Sequence, residues 1–191
     1  TLLDNWEQEL KQFAPNLNSL IHWGTQRSFT PQIIDDNDVL ITSYETSSND
    51  QTLLNYRNWD LVILDEAQYI KNKNTGRSKD VKKIRKNIGI AVTGTPIENS
   101  LKDIWSIMDF TNPNYLPDFD QFEDIYLDEP LSASRLEPKI SPLIMRRKTE
   151  DVAKDLPEKI EINQPVSMSS EEIDYYEKLK LEIYEEYGKN A

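Results

Sequence analysis

Apolar positions along this chain follow two rhythms. Trp6, Leu10 and Phe13 recur at helical spacing and predict a first helix whose shared face belongs to a core. Short apolar runs of strand length follow at residues 17–23, 38–44, 60–64 and 89–93, with a helix or loop expected over 49–58. After Thr95, the positions Ile97, Leu101, Ile104, Trp105 and Met108 mark an amphipathic helix ending near Asn112-Pro113. Thr95 suits its N-cap, Pro96 its first turn and Glu98 the reciprocal capping position. Strands alternating with helices predict a parallel sheet flanked by helices on both faces. Beyond Pro113, the residues Tyr115, Leu116, Phe119, Phe122, Ile125 and Tyr126 predict short helices and loops. Residues 159–168 read as an extended connector. Ser169, Ser170, Glu171 and Glu172 then open a last helix with an apolar stripe of Ile173, Tyr176, Leu179, Ile183 and Tyr187.

Chemistry gathers where two of these strands end. Leu61-Val62-Ile63-Leu64 is a continuous apolar run, as expected of a parallel strand covered on both faces, and it stops abruptly at Asp65-Glu66-Ala67-Gln68. Ligands of open α/β sheets bind outside the carboxyl ends of strands. Two adjacent carboxylates at such an edge suit a magnesium ion carried by a nucleotide, because a hard cation prefers carboxylate oxygen. An acidic turn after a strand is common on its own. A second run, Ile88-Gly89-Ile90-Ala91-Val92, leads into Thr93-Gly94-Thr95, which places a second polar cluster at a strand end and favours the nucleotide reading.

These segments resemble the Swi/Snf (SNF2-type) family of DNA-dependent ATPases in helicase superfamily two. Leu2-Leu3-Asp4-Asn5-Trp6-Glu7-Gln8-Glu9-Leu10 is similar to motif Ia, and Asp38-Val39-Leu40-Ile41-Thr42-Ser43-Tyr44-Glu45 to motif Ib. Asp65-Glu66-Ala67-Gln68 resembles motif II, while Thr93 to Asn99 with Leu101-Lys102-Asp103-Ile104-Trp105 resembles motif III and its helix. Pro142-Leu143-Ile144-Met145-Arg146-Arg147, then Asp151-Val152 and Asp155-Leu156-Pro157-Glu158-Lys159, resembles the segment leaving the first lobe. The family's phosphate-binding loop, G-x-x-x-x-G-K-[ST], does not occur among these residues. The chain therefore reads as a fragment of the first RecA-like lobe. Residues 1–112 would be the truncated lobe, 113–160 a helical protrusion and return segment, and 161–191 a connector and helix toward the second lobe.

The resemblance implies ATP and Mg2+ as cofactors and double-stranded DNA as partner, with the remaining ATPase lobe acting in cis. Asp65 would hold magnesium, Glu66 would orient and polarise the attacking water, and Gln68 would bridge the γ-phosphate to Thr93 and Thr95. Thr93, Gly94 and Thr95 complete the expected nucleotide edge. Asn5, Thr42, Ser43 and Tyr44 would contact the backbone of one DNA strand, with Arg146 and Arg147 as basic candidates. The fragment alone is expected to be inactive. The alternatives are an RNA helicase of the same superfamily and a non-catalytic interaction module. Three positions depart from the family pattern: Lys73 in place of proline, Gly89 in place of arginine, and Lys148-Thr149 in reversed order.

Composition narrows the class. The 191 residues, 37% hydrophobic and 29% charged, suit a polar domain whose core is completed by other segments. No apolar run reaches membrane-spanning length and no secretory signal opens the chain, so a cytoplasmic or nucleoid location in a bacterium, or a nuclear one in a eukaryote, is expected. There are no cysteines and a single histidine, His22, which excludes a thiolate or multi-histidine metal centre. The net charge of −12 opposes simple duplex binding. Residues 71–86 invert that sign, with eight basic side chains against Asp80 alone. Within them Val81, Ile84 and Ile88 fall at helical spacing before Gly89, which reads as a solvated helix face ending in a glycine cap, the alternative being a contact to the DNA backbone or a partner.

Overall fold

A computed structural model describes residues 2–94, 101–127, 132–147, 164 and 168–187, in two compact units, Thr1–Met145 and Arg146–Ala191. In the first unit α1 (Leu2–Phe13) precedes β1 (Ser19–His22), α2 (Gln32–Asp35), β2 (Val39–Thr42), α3 (Tyr44–Asn49) and α4 (Gln51–Leu54). β3 (Trp59–Leu64) leads through a 3-10 turn (Ala67–Ile70) to α5 (Gly76–Lys82) and β4 (Lys86–Ala91). Then come α6 (Leu101–Thr111), α7 (Phe119–Tyr126) and α8 (Ser132–Ile140). The second unit holds α9 (Ser170–Tyr187).

The four expected strands all form and pair in parallel, β1 with β2 and β3 with β4. Ser19 stands opposite Val39 in the first pair and Leu64 opposite Ala91 in the second. Within the second pair, parallel pairing puts both carboxyl ends on one edge, so Asp65 and Thr93 leave their strands in the same sense.

One core lies under that edge. Leu64, Ala67, Ile70, Val81, Ile107 and Phe110 form a buried cluster joining β3, the 3-10 turn, α5 and α6. The other flank of α6 supplies Ile104 and Met108 to a second cluster with Phe122, Tyr126, Leu136 and Ile140 from α7 and α8. Each of these large side chains contributes about 1.5–3 kcal/mol on burial, so α6 is fixed from both sides. Lys73, the departure from proline, places its ammonium 3.2 Å from the centroid of the Phe119 ring, and Phe119 packs edge-on against Trp105 at 5.1 Å. The lysine thereby ties the loop before α5 to the helical protrusion.

Three sequence expectations need correction. β3 is covered on one face only: Leu61, Ile63, Ile88 and Ile90 alternate onto the other face and remain 43–58% exposed. The reason is that α5 and α6 both pack on the face carrying Val62, Leu64 and Ala91. Next, Ile88 and Gly89 do not extend or cap a helix. α5 ends at Lys82, and the Arg85 carbonyl already accepts from Trp59 N–H, so strand pairing claims the backbone from there. Gly89 sits inside β4 opposite Val62, where a Cβ would lie 2.9 Å from the Phe110 carbonyl oxygen. Finally, the stripe of α1 is not core: none of its residues is buried, and Phe13 is 74% exposed.

α9 begins as expected. Ser169 N–H and Oγ–H both donate to Glu172, at 2.8 and 2.9 Å, and Glu172 N–H donates back to Ser169 Oγ, a reciprocal capping box. These bonds hold the Glu172 carboxyl below its ordinary range. Its stripe of Ile173, Tyr176, Leu179 and Ile183 is 37–56% exposed. The start of the α6 capping motif, Thr95 to Glu98, and most of the connector over 159–168 lie outside the described residues.

Candidate active site

Asp65 follows the last residue of β3, and Glu66 turns the chain with φ 50° and ψ 50°. A left-handed conformation costs a non-glycine residue about 1–2 kcal/mol, so the turn must be held by its surroundings. It is. Glu66 N–H donates to Asp65 Oδ1 at 2.9 Å, Ala67 N–H to the Val92 carbonyl at 2.9 Å, and Val92 N–H to the Leu64 carbonyl at 2.8 Å. Ala67 and Ile70 are fully buried behind it. Below, the Ile70 carbonyl accepts from Ser106 Oγ at 2.6 Å and Ser78 Oγ at 3.1 Å. Lys82 Nζ donates to Ser106 Oγ at 2.9 Å and lies 3.0 Å from Asp109. Burial pushes the Lys82 ammonium below its ordinary pKa, and Asp109 opposes that shift.

The functional side chains form a connected row. Gln68 Nε2 donates to Glu66 Oε2 at 2.6 Å, and Thr93 Oγ1 donates to Gln68 Oε1 at 2.6 Å. A carboxylate only accepts, so the amide nitrogen must face Glu66 and the amide oxygen the hydroxyl. The glutamine thus carries one direction of hydrogen bonding from the end of β4 to the end of β3. Gly94 follows exposed at the same edge, with nothing within 4 Å of where a Cβ would stand. Thr95 lies outside the described residues.

Asp65 is also reached from the first strand pair. Trp6 Nε1 donates to its Oδ2 at 2.9 Å, and the Tyr44 hydroxyl donates to its carbonyl at 2.8 Å. Burial, and then the charge of Asp65, pushes the Tyr44 phenol well above its ordinary range, so the hydroxyl remains a donor. Arg77 lies over both Tyr44 and Tyr69, whose rings meet edge-on at 5.8 Å.

The residues expected to touch DNA divide into two groups. Thr42 Oγ1 donates to the His22 carbonyl at 2.8 Å, and Ser43 Oγ caps α3 by accepting from Thr46 N–H at 3.1 Å. With Tyr44 on Asp65, all three hydroxyls of this segment bond within the chain. Asn5 is exposed on α1, and Arg146 and Arg147 are exposed at the start of the second unit. Next to Thr42, the buried Asp50 receives Arg27 Nε at 2.6 Å and Arg27 Nη2 at 2.9 Å, and lies 2.7 Å from His22 Nε2.

Sequence reasoning missed the Trp6 contact, the Ser78 and Ser106 supports and the Asp50 cluster. No local signal announces them: Trp6 and Asp65 are 59 residues apart.

Parallel strands with an acidic turn at one carboxyl end, linked by an amide to a threonine at the next, define a RecA-like ATPase fold. Residues 1–189 match the SNF2-related domain family, and the chain belongs to it. It is 36% identical to the putative ATP-dependent helicase/translocase YwqA of Bacillus subtilis over 97% of this chain and 21% of that protein. It is 33% identical to the TATA-binding protein-associated factor MOT1 of Saccharomyces cerevisiae over 84% of this chain and 10% of that protein. The SWI2/SNF2 ATPase core of Sulfolobus solfataricus, solved in complex with double-stranded DNA, superposes with a TM-score of 0.73 at 33% identity. That match covers all of this chain and 41% of that one. The chain thus spans about a fifth of YwqA. Among the described residues no helix is long and apolar enough to cross a membrane.

Proposed function

We propose that this chain supplies the hydrolytic carboxylates of an ATP-dependent motor that moves along double-stranded DNA, in the nucleoid of a bacterium or the nucleus of a eukaryote. The observation that carries the reading is the row Glu66, Gln68 and Thr93 beside Asp65. It supports a site in which the water-activating carboxylate and the phosphate-sensing threonine share one amide.

Magnesium in nucleotide sites keeps several waters and takes one or two carboxylates besides phosphate oxygens. Asp65 fits that demand. It stands at a strand end, and each of its oxygens accepts from one donor, Trp6 Nε1 or the Glu66 N–H, while a carboxylate oxygen can accept two. Asp65 would hold the ion, directly or through a water. Bound magnesium ATP supplies the scissile phosphoanhydride and the neutralising charge. Phosphoryl transfer needs little covalent help from protein, so the side chains position and polarise. Glu66 accepts a proton from water at Oε1 or Oε2 while Gln68 Nε2 keeps its carboxylate oriented. Thr93 and Thr95 would register the γ-phosphate, and Gln68 would pass a change at Thr93 to Glu66.

The phosphate-binding loop would come from another segment of the parent protein, as no such string occurs in these residues. The uncovered face of Leu61, Ile63, Ile88 and Ile90 suits packing by that segment. For DNA, Asn5 in the first unit and, separately, Arg146 and Arg147 in the second would offer exposed side chains, whereas Thr42, Ser43 and Tyr44 would donate only by exchanging partners. Such contacts position the protein without reading sequence.

Glu66→Gln in the parent protein tests the assignment. Binding of ATP should stay within about twofold, while turnover falls by about a hundredfold or more, as for loss of a general base. Turnover near the wild-type rate removes Glu66 from the chemistry.

A further inference from the structure

The carboxylate at the end of β3 is gripped by a helix that rides on the other strand pair. α1 packs on β1 and β2, yet Trp6 from α1 reaches Asp65 with its indole N–H. Asp65 Oδ1 takes the Glu66 backbone N–H and Oδ2 takes the indole, each at 2.9 Å. One donor on each oxygen leaves the carboxylate a single orientation. Core packing does not account for this tryptophan, which is 37% exposed on a helix without buried residues. Indole nitrogen is a donor only, so it can hold an anionic oxygen without competing as a metal ligand.

We propose that Trp6 is a positioning residue for Asp65, setting the carboxylate in the orientation magnesium requires and coupling that orientation to α1. The inference rests on the reading of Asp65 as the magnesium carboxylate. Groups that orient metal ligands change metal affinity by about 10–100-fold, and the partial exposure of Trp6 places it at the lower end. Asn5 precedes Trp6 on the same helix. A hydrogen bond weakens steeply once donor and acceptor separate beyond about 3.5 Å. From 2.9 Å, a shift of α1 by less than an ångström is enough to loosen the grip. Displacement of the helix that carries a DNA-contact candidate is thereby felt at the metal site.

The test uses the parent protein with 3-benzothienylalanine at position 6, which keeps the bicyclic shape and replaces N–H by sulfur, alongside Trp6→Phe and Asp65→Asn. The readout is the magnesium concentration giving half-maximal binding of a fluorescent, non-hydrolysable ATP analogue, with thermal melting as the check on folding. The isostere should raise that concentration about tenfold at an unchanged melting temperature, and Trp6→Phe should do the same if it folds. An isostere whose magnesium requirement is unchanged or lowered, while Asp65→Asn raises it, overturns the positioning role and leaves the metal reading standing. An unchanged requirement in Asp65→Asn overturns the metal reading, and with it this inference.

Discussion

Gly89→Ala is the smallest change that should disturb both the core and the site. The added Cβ would stand 2.9 Å from the Phe110 carbonyl oxygen, 3.0 Å from Lys86 Cε and 3.2 Å from Phe110 Cε1. The lysine end can swing aside. A backbone carbonyl near the end of α6 cannot, because Ile107, Met108 and Phe110 anchor that helix in two clusters. Relief requires α6 and β4 to part by about half an ångström, and such overpacking costs about 1–3 kcal/mol. Removing a glycine from the unfolded chain offsets about 0.4–1 kcal/mol. A net loss of about 1–2 kcal/mol remains, or about 3–6 °C in Tm for a domain of this size. Gly76→Ala is the matched control, since its Cβ meets nothing within 4 Å and the residue opens α5. It should leave stability unchanged or raise it by up to about 1 kcal/mol. Urea unfolding of the three proteins side by side measures both signs. A Gly89→Ala protein as stable as the wild type would refute the claim that α6 seats directly on β4.

Two further outcomes follow from named contacts. The Arg27 hydrogen bonds, ahead of His22, hold the Asp50 carboxyl below its ordinary range in the fold, while burial opposes them. Its folded pKa therefore lies below the unfolded one. The stabilisation is present above about pH 4 and is lost as pH falls through the lowered value. Asp50→Asn should cost about 3 kcal/mol at neutral pH and flatten the acid limb of urea midpoints below about pH 5. An acid slope equal to the wild type's would contradict this. Gln68→Leu keeps the side chain's bulk but cuts the link between Glu66 and Thr93. In the parent protein it should lower kcat by about tenfold or more with nucleotide binding within about twofold, and an unchanged kcat would show the row to be dispensable.

The strands and the long helices were legible because their signals are local. Continuous apolar runs gave β1 to β4, the Pro113 stop located the end of α6, and Ser169 with Glu172 located the start of α9. Gln68 accepts a hydrogen bond from Thr93, and its bridging of the γ-phosphate to Thr93 and Thr95 belongs to the proposed function. What sequence left hidden depends on approach between distant segments. Trp6 has the spacing of a core residue, but α1 lies on β1 and β2 without burying any of its residues, and the indole reaches Asp65 instead. Ile88 and Gly89 carried two readings, a strand run and a helix end, and their pairing with Leu61 and Val62 decides for the strand, since a period of 3.6 over two or three positions does not exclude one. Gly89 reads as a cap in sequence but meets a helix backbone in three dimensions.

The proposed DNA-dependent ATPase activity would rest on Asp65 and Glu66. Its most direct test is steady-state ATP hydrolysis by the parent protein with duplex DNA, single-stranded DNA or RNA added in turn, in wild-type and Glu66→Gln forms. The account predicts strong stimulation by duplex DNA that disappears in Glu66→Gln. Stimulation by RNA alone, or hydrolysis that survives the substitution, would contradict it.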